Sequence, residues 1–255
     1  MSENESDIII SKETAKRLIK DVRDVIKHPL TENGIYYTHH ESDILSGYAL
    51  IIGPSDTIYA NGFYLFEFKF PHNYPHQPPK VKYHTNDGVI RFHPNLYRNG
   101  KVCLSILNTW KGETWTSCQN IRTILLTLVT LFHNKPLLNE PGIGEDYKHF
   151  KDYNQIIEFK NLEVAVLNYL TNARLRTLPE AFQSYHHIMI EHFKKTHKLI
   201  GRKIHSYLEE SSHKKTLHCD IYYRTEIQLN YKRLEEEFLN TLKMLKMKVI
   251  PVSKC

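Results

Sequence analysis

The feature that leaves this chain least freedom is the run Pro71-His72-Asn73-Tyr74-Pro75-His76-Gln77-Pro78-Pro79, with four prolines in nine residues. Each proline lacks a backbone N–H and holds φ at about −65°, so the run fits neither a helix interior nor a central strand. It must cross the surface as a stiff, largely extended loop, and it separates two apolar stretches. Before it, Gly62 to Phe70 alternates: Tyr64, Phe66, Phe68 and Phe70 fall on one face, and Phe63 and Leu65, then Glu67 and Lys69, on the other. Further strands are expected at Ser46 to Ile52, closed by Gly53-Pro54, at Lys80 to Tyr83, and at Val89 to Phe92.

Helices frame these strands. Ile10 to Lys27 carries Leu18, Val22 and Val25/Ile26 at helical spacing, Ser11 as a cap, and His28-Pro29 as a stop. Lys12, Lys16, Arg17, Lys20 and Arg23 make its outer face basic. His93 to Ser117 is irregular, and Asn120 to Phe132 reads as an apolar helix ended by Pro136 and Pro141-Gly142. Helix, antiparallel meander, long loop and helix predict an α+β domain. Beyond Tyr147, helices are expected over residues 150–171, 179–209 and 221–249, the last from the stripe Ile227, Leu234, Phe238, Leu242, Leu245 and Val249. The expected division is a polar tail (1–9), a core domain (10–171) and a basic helical extension (172–255), with the boundary near Asn172 to Pro179.

Composition narrows the function classes. Of 255 residues 41% are apolar, enough for a real core, and no run approaches the ~18 apolar residues of a membrane span. The acidic start Met1-Ser2-Glu3-Asn4-Glu5 does not read as a secretory signal. Residues 172–255 hold 16 Lys and Arg against 9 Asp and Glu, so the net +6 belongs to the last third. That balance allows an acidic partner or nucleic acid, but no stacking motif accompanies it, and nucleic acid is not expected. The cysteines, Cys103, Cys118, Cys219 and Cys255, form no C-x-x-C pair, which speaks against a zinc knuckle or a disulfide framework. A reduced, cytoplasmic location is expected, with the nucleus, or a host cell were the source viral, as the alternatives. Seven histidines in the extension (His186, His187, His192, His197, His205, His213, His218) lack metal spacing, so no metal is expected. Neither a P-loop nor a G-x-G-x-x-G fingerprint occurs, and no cofactor is expected.

Cys103 stands out by its setting. His93-Pro94-Asn95 precedes it, with the cysteine eight residues after the asparagine and Val102 just before it. Upstream lie Gly53-Pro54, Asp56-Thr57, Tyr59, Gly62-Phe63, then Phe70-Pro71, Tyr74-Pro75 and Pro78-Pro79-Lys80-Val81; downstream lie Trp110, Gly112, Trp115 and Asn139-Glu140-Pro141-Gly142. In this order and register, residues 10–171 closely resemble the ubiquitin-conjugating enzymes. The fit is best to the Z type, whose members have extra residues between the cysteine and the tryptophan and a long C-terminal extension.

The resemblance implies a UBC-like fold and a defined reaction. Cys103 would take ubiquitin or a ubiquitin-like protein as a thioester from an activating enzyme, and pass it to a lysine amine or a ligase cysteine. A carrier thiol must be reachable, and the irregular, Gly-containing segment around Cys103 makes exposure expected. Asn95 would order the loop and stabilise the oxyanion. Glu140 would orient the lysine and help to deprotonate it. His93 and Pro94 would shape the turn, Trp115 would pack beneath it, and Tyr97 would line the groove. Lys12, Lys16, Arg17 and Lys20 would dock the activating enzyme. Ligases would meet His76 and the Thr116-Ser117-Cys118 loop, where many relatives carry an apolar residue and Ser-Pro-Ala, so the choice of ligase stays open. The alternative is a catalytically silent scaffold or ubiquitin-binding module of the same fold.

Overall fold

A computed structural model describes residues 10–171, 174–210, 214–222 and 225–248; the expected tail (1–9) and Val249 lie outside them. Helix α1 (Lys12–Lys27) opens on Ser11, whose hydroxyl accepts the Thr14 N–H at 3.0 Å. Thr14, Leu18, Asp21 and Val25 face inward, and Ile26, one position past that stripe, is exposed.

Strands β1 (Ile35–His39), β2 (Ser46–Ile52), β3 (Phe63–Lys69) and β4 (Lys80–Tyr83) form an antiparallel meander in that order. Its registers run Tyr37↔Ala49, Leu50↔Leu65 and Phe68↔Val81. The expected strand at Val89 to Phe92 does not form. The Asp87 carboxylate accepts the N–H groups of Val89 and Ile90 at 2.9 and 3.1 Å, an Asx turn that takes this backbone out of any ladder. The fourth strand is instead β1.

Helix α2 (Ile121–Thr130) is capped by Asn120, which accepts from the Thr123 N–H. Helix α3 (Phe150–Lys160) continues through a π-helical stretch (Asn161–Leu167) into α4 (Asn168–Leu170). Here the Asn161 side chain accepts a 2.6 Å hydrogen bond from Tyr64 and donates one of 2.8 Å to the Ala60 carbonyl, tying the helix to the sheet.

The extension departs from the expected three helices. A 3-10 stretch (Glu180–Tyr185) leads into α5 (His186–Glu210), then comes an antiparallel hairpin of β5 (Lys214–Cys219) and β6 (Thr225–Asn230), then α6 (Tyr231–Met244). The helix expected from residue 221 begins only at Tyr231, where the Asn230 side chain accepts the Arg233 N–H. Ile227 and Leu229 are buried as alternating strand residues, not as part of the helical stripe. The neighbours His218 and Cys219 lie on β5 and therefore point to opposite faces of the hairpin, which removes the closest pair of metal-ligand types.

The extension covers the sheet. Tyr64, on the inner face, stacks on Phe132 at 4.2 Å. Tyr48, Leu50, Ile52, Phe63 and Leu65 share the opposite face and are buried too. Phe182 meets Tyr48 edge-on at 5.2 Å and His84 at 5.1 Å. The Tyr185 hydroxyl donates to the Tyr48 carbonyl at 2.8 Å, and His192 packs on Phe63. The continuous apolar run of β2 is thus a strand sandwiched on both sides. The hairpin and α6 pack on α3, with Tyr231 edge-on to Phe159 at 5.4 Å and Lys215 bonded to Gln155 at 2.7 Å.

Candidate active site

The turn at His93-Pro94-Asn95 is built by short-range bonds. The Asn95 N–H donates to His93 Nδ1 at 3.0 Å, and the Leu96 N–H to the His93 carbonyl at 2.9 Å. His93 is fully buried, and burial, aided by His133 and Arg91, holds its pKa well below the usual histidine value. The ring is neutral and accepts at Nδ1, so it shapes the turn and is not placed to act as an acid. Pro94 is buried, and its carbonyl accepts from Arg91.

Asn95 and Cys103 clamp each other. The Cys103 N–H donates to the Asn95 carbonyl at 2.9 Å, and Asn95 Nδ2 donates to the Cys103 carbonyl at 2.5 Å. The eight-residue spacing closes a small loop whose turn, Tyr97 to Gly100, tucks under β4. Gly100 has φ +89°, and a Cβ there would lie 2.8 Å from the Tyr83 carbonyl. Past the cysteine, the Thr109 hydroxyl accepts the Leu104 N–H at 2.9 Å and donates to the Val102 carbonyl at 2.8 Å. Asn108 accepts the Trp115 N–H at 2.9 Å, so the residues between Cys103 and Trp115 fold back over Ser105. Nothing local in the sequence marks Thr109 and Asn108 beyond polar side chains in an irregular stretch.

Cys103 is not exposed as expected: only 2% of its surface is open. Tyr97 lies next to the thiol, and burial together with Cys103 raises the Tyr97 pKa. Tyr97 itself is of intermediate exposure. Iodoacetamide is therefore expected to modify the exposed Cys118 roughly tenfold or more before Cys103 and Cys219. Tyr97→Ala should speed alkylation of Cys103 alone. Peptide mass spectrometry over a time course reads the order, and labelling of Cys103 ahead of Cys118 would contradict the burial of Cys103.

Glu140 caps the 3-10 turn Pro136–Asn139. Asn139 Nδ2 donates to Asn95 Oδ1 at 3.4 Å, so the loop carrying Glu140 lies against the Asn95 side of the site. The Glu140 carboxylate accepts a 2.9 Å hydrogen bond from Tyr222 of the extension. Trp115 is buried, stacks obliquely on Tyr74 at 5.9 Å and donates to the Pro75 carbonyl at 2.7 Å. It joins the two loops expected to meet ligases. His76, Thr116, Ser117 and Cys118 are all exposed beside one another, with Ser117 bonded to the same Pro75 carbonyl.

On α1, Lys12, Lys16 and Lys20 are exposed, but Arg17 is not free for a partner. Its Nε sits 2.9 Å from both oxygens of the buried Asp21, and its other nitrogens donate to the carbonyls of Ser117 at 2.6 Å and Gln119 at 2.5 Å. Tyr74 donates to the same Asp21 at 2.6 Å. Arg17 therefore braces the loop after Trp115 against α1, unlike the exposed lysines expected beside it in docking.

This arrangement, a helix, a four-stranded meander, and a cysteine clamped to an asparagine behind a proline-rich loop, has counterparts among known sequences. A profile described as ubiquitin-conjugating enzyme matches residues 17–161, more than half of the chain, and the chain belongs to the ubiquitin-conjugating enzyme family. Among individual relatives, it is 40% identical over 164 residues to ubiquitin-conjugating enzyme E2 Z of Danio rerio, covering 63% of this chain and 49% of that protein. It is 41% identical over 154 residues to ubiquitin-conjugating enzyme E2 Z of Homo sapiens (59% and 43%). It is 36% identical over 187 residues to the probable ubiquitin-conjugating enzyme protein 17 of Caenorhabditis elegans (68% and 25%). These matches span half or less of the relatives' own lengths.

Proposed function

We propose that this chain carries ubiquitin or a ubiquitin-like protein as a thioester on Cys103 and passes it to a lysine amine or to a ligase cysteine. The observation that carries the reading is the reciprocal clamp between Asn95 and Cys103 in a member of this family. In charging, the Cys103 thiolate attacks the thioester carbonyl on the activating enzyme; a new C–S bond forms, the old one breaks, and the activating enzyme's thiol leaves. In transfer to lysine, the amine attacks the carbonyl, the C–N bond forms, Cys103 departs as thiolate and the nitrogen gives up a proton. Asn95 already points its amide at the Cys103 backbone and needs little movement to meet the oxyanion. Glu140 is the carboxylate beside this site that suits the incoming amine.

Lys12, Lys16 and Lys20 form the face for an activating enzyme, and His76 with Thr116 to Cys118 the face for a ligase. The free thiols of Cys103, Cys118 and Cys219 fit a reducing compartment such as the cytoplasm or nucleus. The burial of Cys103 is the one observation that favours the alternative of a catalytically silent scaffold. The deciding experiment incubates the chain with ATP, a panel of activating enzymes and their modifiers, and reads non-reducing gels. A thiol-sensitive adduct is expected with at least one pair; no adduct with any pair would leave the scaffold.

A further inference from the structure

Both walls of the Cys103 site lean on one side chain from outside the family's matched residues. Tyr222 follows β5 at the tip of the extension's hairpin, well beyond residue 161. Its hydroxyl donates to the Glu140 carboxylate at 2.9 Å. Its ring lies over the Arg91 guanidinium at 4.2 Å, and the Tyr97 ring lies on that guanidinium at 3.5 Å. Arg91, buried between the two rings, donates to the Pro94 carbonyl of the turn before Cys103. Tyr153 backs the arrangement, edge-on to Tyr222 at 6.2 Å, with its hydroxyl on the Arg91 carbonyl at 2.7 Å. One phenol thus reaches Glu140 directly and, through a single stacked cation, Tyr97 and the turn.

We propose that Tyr222 is a positioning residue for transfer from Cys103 to lysine: its hydroxyl holds the Glu140 carboxylate in place, and its ring seats Arg91 against Tyr97 and the turn. This rests on the carrier reading of Cys103 given above. Burial, with Tyr153 and Glu140 adding to it, raises the Tyr222 pKa, so the phenol remains a donor at ordinary pH. A carboxylate that receives one fixed hydrogen bond keeps its second oxygen for the attacking amine. In transfer that oxygen accepts the proton the lysine nitrogen sheds as the C–N bond forms and the C–S bond to Cys103 breaks, and water then removes it. The pinning extends past Glu140, because Asn139 in the same loop bonds to Asn95. The extension is in this sense a part of the site, not an appendage behind it.

The test uses the full chain. Wild type, Tyr222→Phe, Glu140→Gln and the double variant are charged, quenched of ATP, and chased with free lysine or with hydroxylamine, an amine already unprotonated at neutral pH. Tyr222→Phe keeps the ring on Arg91 and should charge to the same extent with an unchanged melting midpoint. Its discharge to lysine should slow roughly tenfold or more, the loss of one hydrogen bond to a charged group. Discharge to hydroxylamine should not change, because that nucleophile needs no base. In the Glu140→Gln background the second substitution should add nothing. Equal slowing with both nucleophiles, no slowing with lysine, or full additivity with Glu140→Gln would each overturn the proposal. A wild type that takes no thioester would remove the carrier reading and this role together. A wild type that charges, beside a Tyr222→Phe variant that discharges normally, would remove this role alone.

Discussion

Cys103→Ser is expected to replace the thiol-sensitive adduct by one that survives reducing agent and is cleaved by alkali, and Cys103→Ala to give no adduct at all. The argument is chemical. A thioester exchanges with small thiols, whereas the oxyester formed on serine does not, so the change in lability reports which atom holds the modifier. Serine keeps the shape of the site, since the clamp to Asn95 uses only the backbone of residue 103 and the Asn95 amide. The serine adduct should accumulate much more slowly, because an un-ionised hydroxyl is the weaker nucleophile. Cys118→Ala and Cys219→Ala should charge like wild type: the first sulfur lies on the exposed loop after Trp115 and the second is buried in the hairpin, its pKa raised by that burial. Gel mobility with and without reductant and with alkali separates these outcomes. An adduct that persists in Cys103→Ala would place the carrier atom elsewhere.

The second large effect concerns stability. Phe182→Ala should cost about 3–5 kcal/mol, the range for deleting a buried aromatic side chain. Phe182 is fully buried between Tyr48 and His84 on the outer face of the sheet, and its loss opens a cavity beneath the 3-10 stretch that starts the extension. For a chain of this size that corresponds to a fall in melting temperature on the order of 10 °C. Leu199→Ala on α5, where the leucine is largely exposed, is the control and should shift little. A thermal scan by circular dichroism reads both. A shift for Phe182→Ala no larger than the control's would show that the extension rests on the sheet without sharing its core.

What could be read beforehand follows the range of the forces involved. The proline run, the alternation of β3 and the cap and stripe of α1 are local, and each was legible. Strand β1 was not, because Ile35 to His39 is short and runs directly into His40, Glu41, Ser42 and Asp43. The hairpin hides in the sequence because Ile227 falls in phase with Leu234, Phe238 and Leu242; only the Asn230 cap marks where the strand period ends and the helical one begins. The site divides in the same way. His93, Asn95 and Cys103 sit within eleven residues and announce themselves by spacing. Arg91 and Tyr222 are 131 positions apart and come together only through the packing of the extension on α3. The exposure expected for Cys103 failed for a related reason: irregular backbone around a thiol says nothing of which side chain lies over it.

The cover that the extension places on the sheet also orders events in time. During synthesis the cysteine segment and all four strands leave the ribosome well before Phe182, Tyr185 and His192 have been made. Through that interval Tyr48 and Phe63 lack the partners that Phe182, Tyr185 and His192 later supply, and part of the outer apolar face of the sheet stays open. Residue 222 arrives later still. A chain released early would therefore carry its cysteine without the Phe182 cover or Tyr222.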